Sequence, residues 1–225
     1  MKREHVIALI PALDCASTIG DVVGPLREQG YRVLVVDDGS QDATAERARA
    51  AGAELLRHAQ RRGKGAALVS GFRWALSQGA HGVLTLDADL QHDPASADAF
   101  VDAARHAELV IGARTLDEEH MPRGRLFGNR FSTFFIGLFL GEEMHDTQCG
   151  YRLYSRTLLE SLPLSPGGFE TETELLMRAH RVGLRVGWVP IETIYPEDIG
   201  SRFDNWRDTL RVIRVVLSSP WYPHS

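Results

Sequence analysis

The sequence predicts an α/β fold, a mostly parallel sheet with helices on both faces. Three observations carry this. Apolar, β-branched runs alternate with helix-like segments over the first 112 residues, and that alternation implies parallel strands joined by crossover helices. The 225 residues suffice for one large domain and hardly for two. Two predicted strands end in paired acids, and open α/β sheets bind ligands beyond the carboxyl ends of their strands.

The elements follow in order. Val6 to Pro11 is the first strand, and Thr18 to Glu28 a helix. Tyr31 to Val36 is a second apolar run ending in Asp37-Asp38-Gly39-Ser40. Gly39-Ser40 makes a turn, and Gln41 to Thr44 supplies capping residues for a helix that stops at Gly52. Glu54 to Arg57 is a short strand. Gly63-Lys64-Gly65 opens a helix running to about Ser77 and closed by Gly79. Residues 82–86 form a buried strand, Pro94 to about His106 a helix, and Leu109 to Gly112 a strand.

The character changes after Arg114. Thr115 to Arg125 is a polar, charged loop. Leu126 to Leu140 is a helix dominated by phenylalanine and leucine, apolar nearly all round and too short to span a bilayer. Such a helix is either deep core or a surface that meets lipid. Asp204 to Ser219 is a last helix, with Arg207, Arg211 and Arg214 on one side and Leu210, Ile213 and Leu217 on the other. That pattern suits an anionic membrane surface or a solvated face packed on a core.

Composition narrows the function classes. Hydrophobic residues at 44% and charged residues at 24% are ordinary for a soluble globular protein. A net charge of -5 argues against nucleic acid as a partner. Two cysteines, Cys15 and Cys149, are too few for a disulfide framework and fit a reducing, cytoplasmic compartment. Met1 to His5 leads straight into a strand, with no secretory signal. No apolar stretch reaches the roughly 20 residues that span a bilayer.

The chemistry concentrates at Asp87-Ala88-Asp89-Leu90-Gln91-His92, directly after the strand at 82–86. Residues i and i+2 of an extended chain point the same way, so Asp87 and Asp89 repel each other unless a cation sits between them. Mg²⁺ and Mn²⁺ take oxygen ligands and combine one or two carboxylates with substrate phosphates. Gln91 offers a further oxygen. A solvated acidic turn explains the same residues without a ligand. Asp37-Asp38 reads either as a contact to a base or ribose or as a helix-initiating turn.

Several motifs in one order resemble a known family. Ile10-Pro11-Ala12-Leu13, Val36 to Thr44, Gly63-Lys64-Gly65-Ala66-Ala67 and Asp87 to Pro94 look like a family 2 glycosyltransferase of the GT-A fold, with its Rossmann-like sheet. Within that family the chain is similar to the dolichol- or polyprenyl-phosphate mannose and glucose synthases. Gly112-Ala113-Arg114 resembles the family's Gly-Ser-Arg, and Asp146 to Arg152 its Asp-x-x-x-Gly-Phe-Arg stretch. Phe169 to Glu174 with Val189-Pro190-Ile191 resembles its acidic helix and closing strand. The likeness runs from about residue 5 to 200.

The resemblance implies roles residue by residue. Pro11 and Leu13 line the nucleotide pocket, and Asp38, with Val36 beside it, contacts the base or ribose. Asp87, Asp89 and Gln91 gather around Mg²⁺ or Mn²⁺ and the diphosphate, with Ala88 counted among the donor-binding residues. Arg114 and Arg125 hold the acceptor's phosphate, and the phenylalanine helix faces lipid. Residues 1–114 form the nucleotide-sugar half and 115–225 the acceptor half of a single domain. The Arg-x-x-Gly-Ser-Lys segment of the mannose synthases has only a partial counterpart at residues 195–203, where Arg202 replaces the lysine. The membrane spans that many relatives carry after this domain are not found in the sequence.

The expected reaction is inverting transfer of a hexose from a UDP- or GDP-sugar to a polyprenyl-phosphate-type acceptor at the cytoplasmic face of a membrane. Loss of the diphosphate develops charge that a metal and cations must neutralise, and Lys64 and Arg202 are the supporting cations. A phosphate acceptor is already anionic and needs only orienting. A hydroxyl acceptor, the alternative, needs a general base, for which Asp146, Glu172 and Glu174 are candidates. Asp146 also reads as a turn aspartate, and the two glutamates as helix-start acids. The histidines show no ligand spacing, and Cys149 has no partner base. A dinucleotide-binding oxidoreductase is disfavoured, since Pro11-Ala12-Leu13-Asp14 stands where Gly-x-Gly-x-x-Gly belongs. A non-catalytic binding module is disfavoured by the two intact acidic motifs.

Overall fold

The computed structural model describes residues 1–114, 123–161, 171–192 and 194, without the side chains of 123–127. Strands β1 (Val6–Ala12), β2 (Arg32–Asp37), β3 (Glu54–Arg57) and β4 (Gly82–Thr85) alternate with helices α1 (Ile19–Glu28), α2 (Thr44–Ala50) and α3 (Lys64–Ser77). A 3₁₀ turn at Pro94–Ser96 leads into α4 (Ala97–Ala103), then β5 (Leu109–Arg114) and α5 (Arg123–Leu140). Strand β6 (Arg152–Ser155), helices α6 (Arg156–Ser161) and α7 (Thr171–Arg181), and β7 (Val186–Ile191) complete the described chain.

All seven strands form one sheet in the order β3-β2-β1-β4-β6-β5-β7. β6 runs antiparallel to both neighbours, and the other pairings are parallel. The predicted mostly parallel sheet is therefore observed. α1 packs on α2, and α3 packs against β1 and β2. The chain travels one way from β1 to β3 and the other way from β3 to β4. Right-handed crossovers thus place α3 on the face opposite α1 and α2. The central strands read as continuous apolar runs because both faces are covered: Val6 to Ile10 and Val33 to Val36 are all buried.

The sequence reading did not anticipate β6. It is only four residues long and begins with an arginine that is 1% exposed. That arginine is tolerated in the core because each of its three nitrogens donates to a carbonyl. Arg152 Nε donates to Cys149 O at 2.6 Å, Nη2 to Thr147 O at 2.7 Å and Nη1 to Glu172 O at 2.9 Å. It thereby ties the 147–150 loop to the start of α7.

The phenylalanine-rich helix α5 is turned inside out. Its polar Asn129, Ser132 and Thr133 are buried together with Ile136, while Phe131, Phe134, Leu138 and Phe139 are exposed. Phe134 and Leu138 are each 69% exposed. The polar face is buried because it bonds to the loop that follows: Thr133 Oγ1 accepts from Thr147 N at 3.2 Å and lies 3.1 Å from Thr147 Oγ1. Of the two environments expected for this helix, deep core does not describe its aromatic face. The predicted helix at 204–219 and the segment 195–203 lie outside the described residues.

Candidate active site

The strands that run parallel all end on one edge of the sheet. β1 and β2 end together, with Ala12 paired to Asp37. β4 ends at Thr85, so Asp87 and Asp89 stand beyond its carboxyl end. The Asp87 loop is anchored to the start of α1, where the Thr18 hydroxyl donates to Ala88 O at 2.5 Å. Leu90 takes a left-handed φ of 61°, which a non-glycine residue holds only when its surroundings impose it. The turn returns the chain so that Gln91 N donates to Asp89 Oδ1 at 3.1 Å.

Lys64 reaches into this edge from the start of α3. Its Nζ lies 2.7 Å from Asp87 Oδ1 and 3.3 Å from Glu172 Oε2. Burial works against the ammonium, but the two carboxylates reverse the effect and raise its pKa above the ordinary lysine value. Burial likewise pushes the Asp87 carboxyl up, and Lys64, with smaller help from His92 and Arg114, more than offsets it, so its pKa is lowered. Gly150 closes the cluster: a Cβ there would collide with Asp87 Oδ2 and meet Lys64 Nζ at 3.2 Å. Glu172 Oε1 is buried and has no hydrogen-bond partner among the described residues.

The second acidic motif serves the loops. Asp37 Oδ1 accepts from Ser40 N at 2.8 Å, and its other oxygen lies 3.0 Å from Arg57 Nε. Asp38 Oδ1 accepts from Arg62 N at 2.9 Å and contacts His58 Nδ1 at 2.7 Å. Asp38 Oδ2 accepts from Gly63 N at 2.7 Å. The Asp38 carboxylate, expected at the base or ribose, is buried and turned onto the loop before Lys64. The side chain of Val36, expected beside it, is wholly buried in the core. Pro11 and Leu13 are half-buried at the end of β1, on the same edge as Asp87.

On the other side of the edge, Arg114 and Asp146 form a buried fork. Arg114 Nε donates to Asp146 Oδ2 at 2.5 Å and Nη2 to Oδ1 at 3.0 Å. Asp146 also accepts from Gln148 N at 3.1 Å. Asp146, a candidate general base, thus has its carboxylate buried and paired with a guanidinium. Glu174, another candidate, pairs with Arg178 one turn along α7 at 2.6 Å. Glu172, two residues earlier, is the glutamate that meets the Lys64–Asp87 cluster. The signal lay in the helical period, since two residues apart on a helix face different directions.

His92 and Cys149 fill the space behind. The imidazole is buried, 3.9 Å from the Cys149 thiol, and burial lowers its pKa to about 4. Burial pushes the thiol up to about 12, which excludes a ready nucleophile. Arg125 lies in α5, but its side chain is outside the described residues, as is all of Arg202.

A groove of about 600 Å³ runs along α5 toward the Arg114–Asp146 fork. Its walls include Asn129, Thr133, Phe134 and Leu138 on the helix and Met144 to Asp146 on the loop. Among the described residues no helix is long and apolar enough to cross a membrane. No cluster of three or more His, Cys, Asp or Glu side chains gathers among them either. The oxygen donors of Asp87, Asp89 and Gln91 fit a hard cation that completes its shell with substrate phosphates, rather than a closed protein cage.

The model of glycosyl transferase family 2 matches residues 7–162. An uncharacterized protein of Methanocaldococcus jannaschii is 32% identical over 213 residues, covering 91% of this chain and 88% of the relative. The undecaprenyl-phosphate mannosyltransferase of Micrococcus luteus is 30% identical over 206 residues, covering 86% and 85%. Among solved structures, glucosyl-3-phosphoglycerate synthase of Mycobacterium tuberculosis with Mn²⁺, UDP and glucosyl-3-phosphoglycerate superposes with a TM-score of 0.78. It is 26% identical and covers 99% of this chain and 82% of its own.

Proposed function

The chain belongs to glycosyl transferase family 2, and from that premise we propose that it moves a hexose from a UDP- or GDP-sugar to a polyprenyl-phosphate-type lipid. It does so as a peripheral protein at the cytoplasmic face of a membrane. The observation that carries the acceptor is the inverted α5, which offers Phe131, Phe134 and Leu138 outward and borders a groove that reaches Asp146, the ion-pair partner of Arg114. A similar protein named as an undecaprenyl-phosphate mannosyltransferase supports the same reading.

Donor chemistry falls to the edge that carries Asp87. Asp89, with Asp87 and Gln91 beside it, would hold Mg²⁺ or Mn²⁺, which supplies charge neutralisation for the diphosphate leaving group. The structural neighbour with Mn²⁺ and UDP supports that assignment. Lys64 adds a fixed positive charge at the same place and balances Asp87 and Glu172. Pro11 and Leu13 flank the nucleoside side of the cleft. Arg114 acts on the acceptor phosphate from a guanidinium already oriented by Asp146, and a phosphate nucleophile needs no base.

One observation favours a second reading. Glu172 presents a buried oxygen without a hydrogen-bond partner among the described residues, as a base for a hydroxyl acceptor would. The structural neighbour, named for a phosphoglycerate product, fits a soluble acceptor as well. Transfer assays with UDP- and GDP-hexoses, against a polyprenyl phosphate and against phosphoglycerate, separate the two. Sugar on the lipid phosphate alone supports the first reading, and sugar on phosphoglycerate alone overturns it.

A further inference from the structure

The hydrogen bonds around Asp38 continue one residue further than the acidic motif. Nε2 of His58 lies 2.9 Å from Ser70 Oγ, nearly two turns into α3. Nδ1 carries the proton it shares with the Asp38 carboxylate, which can only accept, and Nε2 and the Ser70 hydroxyl make the second hydrogen bond. His58 is 7% exposed, and its two ring nitrogens are thus both engaged by protein. On its other side the same carboxylate receives the amides of Arg62 and Gly63. Those are the two residues directly before Lys64. Gly63 has a φ of 97°, which glycine permits but does not impose, and the buried carboxylate holds the turn there through the two amides.

The consequence reaches the donor side of the cleft. Lys64 is held from in front by the Arg62–Gly63 turn and from behind by α3, and the line from Asp38 through His58 to Ser70 joins the two supports. We infer that His58 is a positioning residue for the donor diphosphate: backed by Ser70, it fixes the Asp38 carboxylate, which sets the turn that aims the Lys64 ammonium between Asp87 and Glu172. This rests on the reading that Lys64 serves the donor. His58 is too deep to touch a nucleotide, so it acts through the turn alone.

Two substitutions separate the arms of the imidazole. Asparagine places its amide nitrogen near the position of Nδ1 and keeps the bond to Asp38. Glutamine reaches toward Ser70 and gives that bond up. Calorimetric titration with UDP and with GDP, each with Mn²⁺, is compared for wild type, His58→Gln, His58→Asn and Ser70→Ala. His58→Gln is expected to weaken the nucleotide that wild type binds by about tenfold, the worth of one buried hydrogen bond. His58→Asn should restore affinity to within about threefold, and Ser70→Ala should fall between the two. Hydrogen exchange at residues 59–65, read without nucleotide, should rise in His58→Gln and stay near wild type in His58→Asn.

Nucleotide binding that is equal in wild type and His58→Gln, or equally weakened in the glutamine and asparagine variants, overturns the inference alone. Should His58→Gln not fold, Ser70→Ala decides: unchanged affinity with unchanged exchange at 59–65 also overturns it. If wild type binds neither UDP nor GDP, the donor reading falls and the inference falls with it.

Discussion

Lys64 and Asp87 meet beyond the carboxyl ends of the central strands, with the Lys64 ammonium 2.7 Å from Asp87 Oδ1. The same ammonium lies 3.3 Å from Glu172, so one half-buried cation balances two carboxylates carried by distant parts of the chain. Removing it takes away the nearest counter-charge of both acids, with His92 and Arg114 left to act on Asp87 from further off. Lys64→Met should therefore destabilise the protein by roughly 1–3 kcal/mol in urea unfolding at neutral pH. Adding Glu172→Gln should restore part of that loss. A Lys64→Met protein as stable as wild type would show that the ammonium is not the balancing charge.

The Arg114–Asp146 fork makes a second prediction. Asp146→Asn removes the carboxylate from a buried, bidentate ion pair and should cost about 3 kcal/mol. Activity lost in this variant should not return at high pH, and the pH profile of residual activity should keep its shape. An Asp146→Asn protein of normal stability that has lost one limb of its pH profile would instead identify Asp146 as a base.

The inverted helix makes a third. Phe134 and Leu138 stand 69% exposed, so a Phe134→Ser, Leu138→Ser double variant removes little core packing. Its melting temperature should match wild type, while affinity for anionic vesicles in flotation should drop by about 100-fold or more, each exposed apolar side chain being worth about 1.5–3 kcal/mol on burial. Wild type that fails to float at low salt contradicts the membrane reading. So does a double variant that floats as well as wild type.

The strands at 6–11, 31–36 and 82–86 were legible in the sequence because each is a short apolar run bounded by turn residues, and the helices between them because Thr18, Gly52, Gly63 and Gly79 mark their ends. β6 was not legible, since Arg152 and Ser155 break any apolar pattern and only tertiary carbonyls make the arginine tolerable. Asp87 and Lys64 were readable as site residues, but their pairing across 23 positions of chain was not. Asp38 and Asp146 were recognisable as motif acids, yet whether an acid faces a ligand or the protein depends on partners such as His58 and Arg114 that the topology brings in. Glu172 and Glu174 were left equivalent by the sequence, and the helix phase separated them.

The two thiols set a pH dependence. Burial pushes Cys149 up to about 12 and Cys15 up to about 11. An unfolded thiol titrates near 8.5, so the folded state keeps protons that the unfolded state has lost. This contribution is fully present below about pH 8.5 and is lost as pH rises toward the folded values, at roughly 1 kcal/mol per pH unit for each thiol. Reduced protein unfolded in urea between about pH 7.5 and 9.5, below the ordinary range of tyrosine and lysine, should weaken accordingly. Cys149→Ala should flatten the slope. A slope unchanged by that substitution would remove Cys149 as its source.

The most direct test of the central claim is transfer of labelled hexose from a panel of UDP- and GDP-sugars to a polyprenyl phosphate with Mn²⁺. Wild type should form one labelled lipid-phosphate sugar, and EDTA should stop it. Asp89→Ala should lower the rate by at least about 100-fold, as loss of a charge-stabilising group at a leaving diphosphate does, while keeping a wild-type circular dichroism spectrum. Full activity in EDTA, an unimpaired Asp89→Ala variant, or label found only on a water-soluble hydroxyl acceptor would contradict the claim.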